Sequence, residues 1–216
     1  ASGLALTGII AVVIAQMSVN VNDAGQITSL TQLGNTLFNT PLKWVVMLAP
    51  LGLVFFLSAK LHSMSFSTAQ TTFWIYAGLM GVSMATIFMA YTGQSIARVF
   101  FISAGTFAAM SLYGYTTKKD LSKFGSFLIM GLIGIIVASL VNIFLKSSAL
   151  QFAISVIGVL VFIGLTAYDT QNIKNEYDEY HDEETSGKLA ISGALRLYLD
   201  FINLFIMLLH LFGDRR

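Results

Sequence analysis

The chain of 216 residues is 56% hydrophobic and 11% charged, with a mean hydropathy of +0.75. Soluble domains run at roughly 45–50% apolar and about 25% charged, so this composition identifies an integral membrane protein. A net charge of +1 supplies no field to recruit nucleic acid, and the absence of cysteine excludes disulfides, thiolate metal sites and thiol catalysis.

A membrane-spanning helix needs about 20 mainly apolar residues, and seven segments qualify. The first covers residues 1–19 and ends where Asn20, Asn22, Asp23 and Gly25 break the pattern. Its first residue is Ala and the apolar run begins at once, so a preceding portion is expected to be missing; the basic region of a signal peptide is lacking. The second covers 44–59, where Pro50 removes one backbone donor and predicts a kink. The third to seventh cover 71–91, 96–115, 124–145, 150–173 and 189–212. Gly78, Gly81, Gly125, Gly131 and Gly134 offer small surfaces for close helix approach. No segment alternates as a barrel strand does, so the expected fold is all-α, one transmembrane domain over residues 1–216.

Lys and Arg set the orientation. With the N-terminus in the cytoplasm, Lys60, Lys118, Lys119, Lys123, Lys174 and Lys188 fall in cytoplasmic loops, leaving Lys43, Arg98 and Lys146 opposite. Seven full crossings put Asp214, Arg215 and Arg216 outside, against the same rule, and a re-entrant or incompletely crossing last segment would remove that conflict.

The linker from Asn175 to Gly187 carries Glu176, Asp178, Glu179, Asp182, Glu183 and Glu184. Its spacing lacks the glycine of an EF-hand loop, and a solvated cytoplasmic hairpin is the expectation.

Two carboxylates lie within the apolar segments themselves, Asp169 in the sixth and Asp200 in the seventh. A charge at membrane depth costs a few kcal/mol on insertion scales, so such groups pair, hold a proton or face water. Asp169 precedes Tyr180 by as many residues as Asp200 follows Leu189. If the sixth helix continues through Lys174 and Tyr177, an antiparallel hairpin brings both to a similar depth, roughly 16 Å from the turn. Close carboxylates in a low dielectric cannot both ionise cheaply; they share a proton and act as a switch. Fully ionised, they repel one another or take up a divalent cation, calcium suiting oxygen ligands better than zinc, with magnesium also compatible. Two carboxylates alone bind weakly, which fits permeation or gating rather than storage. Arg196 stands four residues before Asp200, the spacing of an intrahelical ion pair; alternatively it snorkels to the interface and leaves Asp200 free.

The residues also carry a family resemblance over nearly the whole chain. Gly3-Leu4-Ala5-Leu6-Thr7-Gly8, Tyr91-Thr92-Gly93-Gln94-Ser95-Ile96-Ala97-Arg98-Val99-Phe100 and Lys118-Lys119-Asp120-Leu121-Ser122 resemble a bacterial member of the transmembrane Bax inhibitor motif family. Thr166-Ala167-Tyr168-Asp169-Thr170-Gln171-Asn172-Ile173 and Leu197-Tyr198-Leu199-Asp200-Phe201-Ile202-Asn203-Leu204-Phe205 are the most specific stretches. The resemblance implies a seven-helix bundle with the last helix central, and a calcium leak gated by a proton-sensitive aspartate pair at Asp169 and Asp200. It also implies a basic latch from the end of the second helix, to which Lys60 is the nearest match, and it sets His210 where relatives often have Arg.

Remaining polar residues carry plainer expectations. His62, His181 and His210 are too dispersed for a metal site. Asn142 and Asn203 suit bonds across helices, Tyr168 and Tyr198 flank the aspartates, and the nine methionines suit membrane packing. No nucleophile, base and orienting group converge, so no enzyme and no cofactor are expected. The leading expectation is a pH-sensitive calcium leak channel in the bacterial inner membrane, with calcium, protons and the lipid bilayer as partners. The alternative is a membrane-embedded regulator that binds a membrane protease or a cell-survival protein without conducting ions. A proton-coupled transporter lacks support, because no inverted repeat or paired broken helices are visible.

Overall fold

The computed structural model describes residues 1–23, 26–176 and 183–216. Gly25, Tyr177, Asp178, Glu179, Tyr180, His181 and Asp182, named above, lie outside the described residues, as does the side chain of His62.

Among the described residues, eight α-helices and one short hairpin follow in chain order: α1 Ser2–Ser18, β1 Val19–Val21, β2 Ile27–Leu30, α2 Gln32–Phe38, α3 Leu42–Lys60, α4 Phe66–Ala90, α5 Gly93–Thr116, α6 Ser122–Leu145, α7 Ser148–Glu176 and α8 Glu183–Phe212. The six from α3 to α8, leaving out no long helix, have the length and apolar character to cross a membrane. α1 is apolar but only 17 residues long, the lower end of the spanning range. The exterior confirms the class. Phe144 is 85% exposed and Phe101 73%, and only 11% of the apolar windows of α3 and α6 is buried, as expected where the solvent is lipid.

The helices sort into two compact units. The first comprises Ala1–Gly93, Glu183–Ser192 and Arg215–Arg216; the second comprises Gln94–Asp182 and Gly193–Asp214. In the first, α1 buries Gly3, Thr7, Ala11, Ala15 and Ser18, one residue per turn along a single stripe of small side chains. That stripe lets α4 approach closely, since a Cβ on Gly81 would lie 2.8 Å from Thr7 O. The Thr7 hydroxyl lies 2.8 Å from Ala77 O, a polar bond across the two helices.

Between the first two expected spans, the described residues are in part regular. β1 and β2 pair antiparallel, Val19 opposite Leu30. Thr31 then caps α2 by accepting from Gly34 N, and its hydroxyl donates to Met17 O at 2.7 Å. Both strands are too short to announce themselves by period. α3 runs unbroken through the buried Pro50, and α4 begins at Phe66, five residues before the expected start, because Ser65 caps it through Thr68 N.

In the second unit α7 is hemmed by small residues on its neighbours. A Cβ on Gly114 of α5 would stand 2.2 Å from Ala167 O, and one on Gly125 of α6 would stand 2.6 Å from the Tyr168 ring. Phe201 of α8 meets Phe100 and Phe107 of α5 edge to face, with ring centres 5.7 and 5.5 Å apart. α8 is the most buried of the spans, half of its apolar window being covered. It starts six residues before the apolar run, with Glu183 and Glu184 in its first turn, where carboxylates favour the helix dipole.

The last segment has no break. α8 is one continuous helix of 30 residues, and its end is tied to the start of α5: Arg98 donates to Phe212 O at 2.8 Å and pairs with Asp214 at 3.1 Å. Beyond it, Arg216 donates to Tyr91 O and Arg215 lies over the Tyr91 ring, within the first unit.

Candidate functional site

Asp169 and Asp200 reach each other because α7 and α8 run antiparallel in close register. At one end Arg196 meets Glu176 and Gly193 packs on Ile173; further along, Gly158 lies against Met207; at the other end Gln151 bonds His210. Glycine at 158 and 193 permits this, since a Cβ there would come within 2.9 Å of Met207 and 3.0 Å of Ile173.

Asp200 is 4% exposed, while Asp169 is half-buried. The two carboxyls lie close enough to act on one another. No N–H or hydroxyl among the described residues satisfies Asp200 Oδ2, which is fully buried. An unsatisfied buried acceptor costs about 1–3 kcal/mol, more if charged. A bond between two carboxyls needs a proton on one of them, and sharing that proton offers Asp200 a partner that the rest of the unit does not supply.

One to two turns away, Arg196 pairs with Glu176 of α7. The intrahelical pair with Asp200 expected from the four-residue spacing is therefore not formed among the described residues. Glu176 is 40% exposed at its side chain and keeps part of its hydration, whereas joining Asp200 would require the guanidinium to give up more of its own. Even so, the Arg196 charge acts on both aspartates, and the Glu176 charge acts on Asp169.

The back of α7 is anchored separately. Gln171, two residues past Asp169, accepts from Leu121 N at 2.8 Å and donates to Lys119 O at 2.8 Å. Lys174 donates to Tyr115 O at 2.8 Å and sits over that ring. In the loop that Gln171 grips, Asp120 accepts from Ser122 N at 2.9 Å and from its hydroxyl at 2.6 Å, which holds the Asp120 carboxyl below its ordinary range. Sequence reading missed Gln171, since nothing in one polar residue among apolar neighbours says which loop it meets. Glu176 was read as part of a solvated linker, although Arg196 one helix on was a visible counter-charge.

Over all 216 residues the chain matches the family model described as Inhibitor of apoptosis-promoting Bax1. The chain belongs to the Bax inhibitor-1 family. Among its relatives are the Inner membrane protein YbhL of Escherichia coli K12, 54% identical over 79% of this chain and 74% of the relative. A Rickettsia prowazekii protein is 50% identical over 87% of this chain and 80% of its own length, and a Deinococcus radiodurans protein is 43% identical over 100% and 87%.

Other residues of this Bax inhibitor-1 family member fall out as follows. Lys60 is the exposed last residue of α3 in the first unit, and among the described residues it forms no ion pair. Asn142 of α6 does bond across to α7, donating to Gln151 Oε1 at 3.2 Å, whereas Asn203 donates to Leu199 O of its own helix. Tyr168 serves packing against Gly125. His210 is exposed and lies 3.3 Å from Gln151. Among the described residues no three His, Cys, Asp or Glu cluster, so a cation held here would have two carboxylates and otherwise water or carbonyl oxygens.

Proposed function

We propose that this protein is a pH-sensitive calcium leak channel of the bacterial inner membrane, gated by the Asp169–Asp200 couple. The YbhL relative is by name an inner membrane protein. The observation that carries the reading is Asp200 itself: a carboxyl 4% exposed, one oxygen without a donor, set against a second carboxyl on the facing helix. With one proton the couple is satisfied and draws α7 to α8. Without it, two like charges face each other in a poor dielectric, and the site is relieved by separation or by a hard cation. Flux therefore rises as pH rises. Lys60 stands as the proposed latch of the closed state, and the N-terminus is assigned to the cytoplasm.

Calcium flux into liposomes holding the purified chain, followed against pH, tests this. Wild type is expected to conduct more at alkaline than at acid pH. Asp169→Asn with Asp200→Asn is expected to flatten that profile; an unchanged profile in the double variant refutes the gate. Stable capture of a membrane protease, together with no flux at any pH, would favour the non-conducting regulator.

A further inference from the structure

Arg196 is placed unusually for a charge with a settled partner. It pairs with Glu176, yet its Nε is buried with no hydrogen-bond partner, so the guanidinium is only partly satisfied. Both side chains of the pair remain partly exposed, at 28% and 40%. Ion pairs of that exposure are weak and exchange readily. On its own helix Arg196 stands one turn from Asp200, the spacing at which the two carry a pair, and its charge already acts on Asp169 and Asp200. Two arrangements of the guanidinium are therefore to be weighed: clasped to Glu176, or turned to the aspartates.

We propose that Glu176 is a positioning residue that holds Arg196 away from the Asp169–Asp200 couple, so that Arg196 and a divalent cation compete as counter-charges to it. This rests on the leak reading and adds its regulation. Among the described residues of the second unit, the charged groups that act with Arg196 are Glu176 and Asp169 from α7 and Asp200 from α8. Lys174 is committed to Tyr115 of α5, and Asp120 of the loop between α5 and α6 is folded onto Ser122. Glu176 is therefore the group that decides where the guanidinium rests.

The sign of the effect separates this from a merely structural clasp. Removing the Glu176 charge frees Arg196 to neutralise the couple and weakens calcium, whereas removing the Arg196 charge strengthens calcium. Loosening a structural clasp would push both variants the same way. The test is calcium binding to the detergent-solubilised full chain by equilibrium dialysis, with liposome flux measured alongside. Glu176→Gln is expected to weaken calcium binding about fivefold, the upper end for a partly exposed pair. Arg196→Gln is expected to tighten it, and the double variant to match Arg196→Gln, because Glu176 acts only through Arg196. If Glu176→Gln does not fold, Glu176→Asp serves, with a smaller shift in the same direction. Equal binding in wild type and Glu176→Gln, shifts of both single variants in one direction, or no calcium binding by wild type would overturn the proposal. Binding shifts as stated with no flux from any variant would overturn the leak and leave the clasp standing. Normal pH-dependent flux that Asp169→Asn and Asp200→Asn flatten, with Glu176→Gln binding as wild type does, would overturn the clasp alone.

Discussion

Replacing Gln171 by Leu keeps the side-chain volume nearly constant and removes two hydrogen bonds, each 2.8 Å long, between α7 and the loop before α6. The costs can be worked group by group. A neutral hydrogen bond contributes about 1 kcal/mol net, and a buried donor left unpaired costs about 1–3 kcal/mol. Lys119 is exposed, so its carbonyl recovers water, but Leu121 is 9% exposed and its N–H does not. The expected destabilisation is therefore about 2–4 kcal/mol. Gln171→Glu keeps an acceptor for Leu121 N but sets a carboxylate oxygen against Lys119 O at a position 8% exposed, so it should cost at least as much. Gln171 lies about 200° around the helix from Asp169, so the loss falls on the anchored face and leaves the aspartate contact in place. Unfolding of the detergent-solubilised protein, followed by helical circular dichroism, measures both variants. A loss below about 0.5 kcal/mol for Gln171→Leu would refute the reasoning.

Gly114→Ala should destabilise by about 3 kcal/mol, the upper end of overpacking, because the new methyl meets the Ala167 carbonyl 2.2 Å away and backbone cannot step aside; denaturant unfolding reads it. Asp120 is held below its ordinary value of 3.8 by its bonds from Ser122, so it contributes stability above that pH that is lost as pH falls through the lower folded value. Asp120→Asn should therefore lose the matching acid-side slope in a thermal-stability profile measured below about pH 4. Arg98→Ala releases the end of α8 from α5, and with side chains 53% and 67% exposed the expected cost is about 1 kcal/mol or less, seen as faster amide exchange at Phe212 to Asp214.

Much of the helical plan was legible in single segments. Apolar runs located α3 and α5 to α7 to within a few residues, because lipid-facing side chains such as Phe144 need no neighbour to justify them. Ends were harder where polar residues extend a helix past its apolar core: α7 continues through Lys174 to Glu176, and α8 begins at Glu183 rather than at Leu189. The hairpin from Val19 to Leu30 escaped because it depends on folding back, with Thr31 N bonding Ser18 O and Gly34 pressed against that same carbonyl.

The chain alone determined that the solvent is lipid, that the spans are helical and that Asp169 and Asp200 lie inside them. Those properties are sums over neighbours in sequence. Which way α7 and α8 turn toward each other, that Gln171 is an anchor, and that Arg196 reaches Glu176 instead of Asp200 were decided by tertiary structure. A helical period sets the angle between residues of one helix, but the partner each face meets depends on glycine contacts such as Gly158 with Met207 and on the unequal hydration of two competing carboxylates.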